Sequence, residues 1–221
     1  MPVTIVGNNT PTAGGVVYGD GTNYASTAAG TSGQLLQSNG SSAPSWVAAP
    51  SASALVFISV QTVSSAVAQV DFTSGISSTY DDYLLIYEGV VGPTKPAIRV
   101  QKSGTFQTTG YNYCGAQGVA TTPTSSYGGN SSSAPINNAN GISTSNLSFG
   151  TVYLMNANNA TGATGLVIQG GSVGATGSAN YANSFVSSQT TSAATTGIRF
   201  FDTSANNLTA GTFRLYGIQK S

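Results

Sequence analysis

The acidic residues are the first place to look for chemistry in this chain, because it contains no histidine and a single cysteine. The six acids are Asp20, Asp71, Asp81, Asp82, Glu88 and Asp202. Glycoside hydrolysis requires two carboxyl groups about 5–9.5 Å apart. Asp81 and Asp82 are adjacent, and adjacent residues at the start of a strand point to opposite faces. We therefore predict that these aspartates bond backbone amides in a turn, and that Glu88 pairs with Arg99 on an adjacent strand.

Other reactive constellations lack the residues they need. Without histidine, neither a serine triad nor a Cys/His zinc site can be built. No glycine-rich loop stands between a strand and a helix to hold phosphate, and the acids show no calcium-loop spacing. Cys114 stands in the strand-like segment GYNYCG, which favours a small buried hydrophobe over a reactive thiol. We predict a protein that is not an enzyme, with no catalytic residue, no metal and no cofactor.

Charge is scarce in this sequence. Charged residues make up 5% of the chain, against roughly 25% in ordinary soluble domains. A surface of Ser, Thr, Asn, Gln and Gly can be buried against a partner without stranding ions, so the composition suits a protein that is mostly interface. The net charge is zero, and the six scattered cations form no basic stripe, which argues against a nucleic-acid partner. These cations are Lys95, Arg99, Lys102, Arg199, Arg214 and Lys220.

Targeting signals for membranes are not evident either. No apolar run approaches the roughly 20 residues that cross a bilayer, and the N-terminus lacks the basic start and apolar core of a signal peptide. We expect no membrane partner, and synthesis and folding in a cytoplasm.

Residues 54–221 show the sequence pattern of an all-β domain, in which short apolar or alternating segments are separated by short polar segments. We predict an antiparallel β-sandwich, jelly-roll-like, with Phe213 and Leu215 pointing into its core. Gly118 to Gly150 shows no convincing strand pattern and is expected to be a surface loop or an intersubunit cover. The ten predicted strands are 55–63, 66–72, 83–91, 97–103, 110–116, 151–157, 164–170, 181–188, 196–201 and 211–219.

Tyrosines cluster in part of this domain, at Tyr80, Tyr83, Tyr87, Tyr111 and Tyr113. Aromatic side chains on a polar surface can stack on sugars or anchor an interface. Cross-strand packing inside a sandwich is the alternative, and we favour it.

Residues 1–53 form a separate module in the sequence. The first seventeen residues cannot bury enough surface to fold alone, which leaves two interpretations, an extended arm that adds to a neighbour and a frayed terminus. Gln34 to Val47 predicts a small hairpin with its turn at Asn39-Gly40. Trp46, the single tryptophan, must then bury its ring either on the following domain or on a symmetry mate.

Two stretches carry a resemblance to bacteriophage structural proteins. Gly14 to Val47 resembles a short β segment of tail-fibre and capsid-decoration proteins. A second stretch, Phe72 to Lys102 with the closing strand GTFRLYGI, is similar to a β-sandwich domain of phage structural proteins, and departs from it at Gly92 to Pro96. The residues that match the first segment are Gly19, Asp20, Gly21, Gly33, Gln34, Leu35, Leu36, Ser38, Asn39, Gly40, Ala43, Pro44, Ser45, Trp46 and Val47.

The resemblance implies a virion protein on the outer capsid surface, assembled in the host cytoplasm. It implies a homotrimer that binds the major capsid protein and cements the shell, with a glycan-binding tail fibre or receptor-binding protein as the alternative. Residues expected to form the arm are Val3, Ile5, Val6, Val16, Val17 and Tyr18. Residues expected at oligomer contacts are Tyr24, Leu35, Leu36 and Trp46.

Overall fold

The chain divides into two units, Met1–Ala52 and Ser53–Ser221, where the sequence suggested a boundary between residues 53 and 54. The structure is a computed structural model, and it describes residues 12–49, 54–119, 122–137, 144–174 and 180–219. Every regular element in these ranges is a β-strand, which confirms the all-β prediction. No helix in the described ranges is long and apolar enough to span a bilayer.

The first unit contains two antiparallel hairpins. Strand β1 (Val17–Gly19) pairs with β2 (Tyr24–Ser26), and β3 (Gln34–Asn39) pairs with β4 (Ser42–Ala48). The second hairpin confirms the prediction, although its two-residue turn is Gly40-Ser41 rather than Asn39-Gly40. Gly40 has φ of 69°, which is the left-handed conformation that a tight primed turn requires at its first central residue.

The second unit is built from two antiparallel sheets. In spatial order the eight-stranded sheet is β11-β10-β15-β14-β13-β7-β17-β5. Its strands are β5 (Leu55–Val63), β7 (Asp82–Val91), β10 (Tyr111–Val119), β11 (Thr122–Ser131), β13 (Leu147–Met155), β14 (Thr164–Val173), β15 (Tyr181–Gln189) and β17 (Ala210–Ile218). The smaller sheet has the order β12-β8-β16-β6, with β9 beside β8. Its strands are β6 (Gln69–Phe72), β8 (Pro96–Lys102), β9 (Thr105–Phe106), β12 (Ala134–Pro135) and β16 (Thr195–Asp202).

The two sheets pack face to face through aromatic and aliphatic side chains. The ring of Phe200, on the smaller sheet, lies 5.2 Å from the Tyr87 ring and 5.0 Å from the Phe213 ring of the larger one. Phe213 and Leu215 are fully buried, as their alternation in the last strand predicts. A sandwich is thereby confirmed, and the jelly-roll order of its connections stays a prediction.

All ten predicted strands are present, but the prediction for Gly118 to Gly150 was wrong. Strand β11 occupies much of that stretch and forms the edge of the larger sheet, paired with β10. Its sequence, TPTSSYGGNS, carries few apolar residues, since none of the side chains described on this edge strand is buried. The apolar alternation used to find the other strands is consequently missing there.

The side chain of Tyr87 leaves no room for any residue larger than glycine at position 170 of the larger sheet. Its hydroxyl oxygen occupies the space where a side chain at Gly170 would begin, and the carbonyl oxygen of Phe149 lies 2.8 Å from the same point. The hydroxyl is buried and has no hydrogen-bond partner among the described residues, and burial raises the pKa of Tyr87. Gly165, on the same strand, has open space instead, since its nearest neighbour is the Met155 Cβ at 3.4 Å.

We predict that Gly170→Ala lowers the free energy of unfolding by about 1–3 kcal/mol, because the methyl group overlaps the Tyr87 hydroxyl and a backbone oxygen. Chemical denaturation, followed by the circular dichroism of the β-structure, measures this loss. Gly165→Ala is the matched control and should change stability little. Adding Tyr87→Phe to Gly170→Ala should recover part of the loss, and no recovery would contradict the overlap as its cause.

Candidate interaction surface

The carboxylates serve structural contacts. Asp82 accepts a hydrogen bond from the Asn156 amide at 2.7 Å, and Asp81 Oδ1 lies 3.4 Å from Asn158 Nδ2. Glu88 stands six residues after Asp82 on β7, roughly 20 Å away at strand spacing, which is beyond the separation that glycosidases use. Among the described residues no group of three His, Cys, Asp or Glu side chains could hold a metal ion.

The predicted pair between Glu88 and Arg99 was wrong. Glu88 pairs with Arg214 on the neighbouring strand β17, with 2.5 Å between Oε1 and Nη1. Arg99 belongs to the smaller sheet, where its guanidinium lies 4.4 Å from the Phe201 ring centroid. Strands that follow each other in sequence were assumed to pair, but β7 and β8 lie in different sheets.

Asp202 holds together two connections at one end of the sandwich. Its carboxylate accepts hydrogen bonds from the amides of Thr94 and Lys95 at 3.0 Å and of Ser204 at 2.9 Å, and from Asn206 Nδ2 at 2.7 Å. Burial raises the pKa of this carboxyl, but the hydrogen bonds outweigh burial and lower it overall. These bonds fix the turn at Gly92 to Pro96.

Lys102 is an amine buried between the sheets. Only 2% of the residue is exposed, and its Nζ donates to Thr164 Oγ1 at 2.5 Å and to the Ala193 carbonyl at 2.6 Å. Burial without a carboxylate partner lowers the pKa of Lys102 to about 8. Nothing in the sequence predicts this burial, because Lys102 stands at the end of its strand beside polar residues.

The tyrosine cluster lies in the core, as predicted. Tyr83, Tyr87 and Tyr111 are fully buried, and Tyr80 and Tyr113 pack against the same core. The Tyr83 hydroxyl donates to the Ser77 carbonyl at 2.7 Å, and the Tyr111 hydroxyl accepts from the Val100 amide at 2.8 Å. These rings stabilise the sandwich from within its core.

Cys114 was predicted to be buried, and this was wrong. The thiol is exposed, because Tyr113 takes the inward position on β10 and the next residue must face outward. Its neighbours across the strands are Tyr127 on β11 and Val186 on β15. The exposed fractions of these two residues are 84% and 56%.

Cys114 belongs to an apolar row that crosses the whole outer face of the larger sheet. Each of the eight strands contributes one residue at the same register level, and none of the eight is charged. From one edge to the other they are Tyr127, Cys114, Val186, Val167, Tyr153, Leu84, Tyr216 and Phe57. Sequence reasoning missed this row, although continuous apolar runs such as YLLIYEGVV indicate strands covered on both faces.

The first unit also exposes apolar side chains. Val17, Tyr24, Leu35 and Leu36 all remain exposed, and the two leucines are adjacent on β3 and so point to opposite faces of the hairpin. Val16 and Tyr18 are half-buried, and Val17 and Tyr18 belong to the first hairpin. Predicted arm residues Val3, Ile5 and Val6 lie outside the described residues.

Trp46 has a hydrogen-bond partner and a packing partner within the first unit, and the residue is half-buried. Its Nε1 donates to the Ala28 carbonyl at 2.9 Å, and its ring stands where a side chain at Gly30 would be, 2.6 Å from that point. The two predicted positions for the rest of its ring, on the following domain or on a symmetry mate, stay predictions. The first unit thus covers part of Trp46 with its own backbone and leaves Leu35 and Tyr24 uncovered.

No protein-family model, no curated protein and no solved structure matches this chain. Interpretation of its function therefore depends on the arrangement of its own residues. The described residues offer two candidate contact surfaces, the exposed side chains of the first unit and the outer face of the eight-stranded sheet.

We predict that the free energy of unfolding rises between about pH 8 and pH 10, since the folded state releases the Lys102 proton before the unfolded state does. Lys102→Met should remove this rise and leave stability at pH 7 within about 1 kcal/mol of the wild type or above it, because a buried ion gives way to an apolar chain. Denaturation curves at several pH values measure the difference. Lys95→Met is the control and should keep the rise; a wild type without it would contradict the buried-amine interpretation.

Proposed function

We propose that this chain is a phage virion structural protein that binds the outer capsid as a homotrimer and cements it. Its partners are then other copies of itself and the major capsid protein. Binding across neighbouring shell subunits adds interfaces that internal DNA pressure must break before the shell opens. The resemblance of Gly14 to Val47 and of the strands around Phe72 to Lys102 to phage proteins supports this proposal.

The observation that carries the proposal is the amount of apolar side chain that the small first unit leaves uncovered. Leu35 is 52% exposed and Tyr24 is 53% exposed, in a unit whose described strands form only two short hairpins. Two-stranded hairpins are marginal in water on their own. Contacts with neighbouring subunits would cover these side chains and stabilise the hairpins at the same time.

Low charge supports the same function. Contact surfaces made of hydroxyl, amide and apolar groups lose little on desolvation compared with ions. A protein that must be covered on several sides by shell subunits and by its own copies benefits from this composition, in which 5% of residues are charged.

A tail-fibre or receptor-binding protein is the second candidate. The first unit has a hollow of about 340 Å³ lined by Tyr18, Leu36, Ser38, Asn39 and Pro44 among others. One aromatic ring beside hydroxyl and amide groups is a combination that binds sugars, so this hollow favours contact with a host glycan.

The number of copies per purified particle separates the two functions. We expect near parity with the major shell protein, because a cement must act over the whole shell. Quantitative mass spectrometry against that protein measures the ratio. A few copies per particle would contradict a capsid cement and assign the chain to the tail.

Leu35→Glu should abolish particle attachment and reduce the native mass to one third, because the charge prevents burial of the β3 hairpin between subunits. Sedimentation and co-purification with particles measure these losses, and unchanged thermal unfolding of the sandwich checks that folding is intact. Thr105→Glu adds the same charge at an exposed position of the sandwich, outside the proposed contact; it is the control and should behave as the wild type. Normal assembly of Leu35→Glu would refute the contact.

A further inference from the structure

We propose that the outer face of the eight-stranded sheet is covered by the same face of a second copy of this chain, related by a two-fold axis parallel to the strands. This contact does not depend on the proposed capsid function. It requires only that two sandwiches meet, whether they belong to separate proteins or to two trimers.

The distribution of charge indicates that the outer face of the larger sheet is covered by a partner rather than exposed to solvent. The smaller sheet places Arg99, Arg199 and Asp71 on its own outer side, where Arg199 and Asp71 form an ion pair at 2.7 Å. On the larger sheet the apolar row crosses all eight strands without a charge. Among the described residues, three charges lie beside the row on this face. Glu88 and Arg214 are paired with each other, and Asp82, two residues from Leu84 on β7, accepts a hydrogen bond from the Asn156 amide, so each already has a partner that limits the cost of covering it.

The size of the face matches a stable interface. Eight strands at about 4.8 Å spacing and nine residues at about 3.3 Å each give roughly 1,100 Å². A standard protein interface covers about 800 Å² on each partner. A partner sheet of the same dimensions therefore offers enough area for a stable interface.

The two halves of the face differ in a complementary way. Apart from Tyr127 at its outer edge and the two valines of the apolar row, the half made by β11, β10, β15 and β14 carries small outward residues such as Ala116, Ala182, Ser184 and Gly165, which leave two shallow hollows of about 430 Å³ each. The half made by β13, β7, β17 and β5 carries large ones. Among these are Phe149, Tyr153, Met155, Tyr216 and Phe57.

This asymmetry selects the direction of the axis. A two-fold axis along the strands, between β14 and β13, places the bulky half of each copy over the small half of the other. An axis across the strands would instead place bulky on bulky and leave the hollows facing each other. Close-packed interfaces exclude such voids, so the geometry points to the first arrangement.

Val186 provides the test, because it is exposed in the middle of the small half and a charge there leaves the core intact. We expect Val186→Glu in the full chain to halve the native mass measured by sedimentation velocity. Thr105→Glu adds the same charge to the smaller sheet and should leave the mass unchanged. If the first unit holds three chains together, the native mass should correspond to six chains in the wild type and to three chains in Val186→Glu.

Cys114 is the single thiol of the chain and lies on this face. Its reactivity therefore gives an independent measure of whether a second copy covers the face. The reaction of Cys114 with a thiol reagent should be slow in the associated wild type and fast in Val186→Glu and in the diluted wild type. Equal rates in all three samples would overturn the proposal. If Val186→Glu leaves the native mass unchanged but loses particle attachment, the proposed contact between two copies is wrong. A shell protein would then be the partner that covers this face.

The direction of the axis has its own test. Mixing Val186→Glu with Val186→Lys should not restore the wild-type mass, because position 186 faces the bulky half of the other copy. Restoration by mixing would place the two charges opposite each other and would overturn the proposed axis.

Discussion

The ring of Phe200 between Tyr87 and Phe213 is the contact on which the sandwich depends. It joins the smaller sheet to two neighbouring strands of the larger one at ring distances of 5.0 and 5.2 Å. Once these rings point inward, alternation decides the direction of the neighbouring side chains on the same strands, up to the irregularity at Gly89 on β7, after which Val90 also points into the core. The same alternation places apolar side chains on the outside of the larger sheet, because β7 carries Leu84 and Ile86, and β17 carries Tyr216 and Ile218, at outward positions.

Scarcity of ions gives each charged group an individual role in this structure. Asp202 binds the amides of two connections, Asp71 pairs with Arg199, and Glu88 pairs with Arg214. Lys102 alone among the buried charges is bonded only to neutral oxygens. Such a protein loses few hydrated ions when its surfaces are covered, which favours association over isolation in solvent.

The strands of the sandwich could be predicted from the sequence, because apolar alternation and turn residues are local signals. Pairing could not, since Glu88 meets Arg214 from the far end of the chain and not Arg99 from the next strand. Strand β11 was missed because an edge strand rich in Ser, Thr and Gly lacks the apolar alternation that the prediction used. The direction of Cys114 depended on a single position in the alternation of β10, and the sequence alone allowed either choice.

Asp202 has a consequence for the order in which the chain folds. It meets Thr94 across 108 residues of sequence, so the turn between β7 and β8 lacks its anchor until β16 has joined the smaller sheet. Contacts of such long range form slowly, because a large loop must close before they stabilise anything. A chain still emerging from the ribosome therefore holds this turn loosely until Asp202 has been made and β16 has joined the sheet.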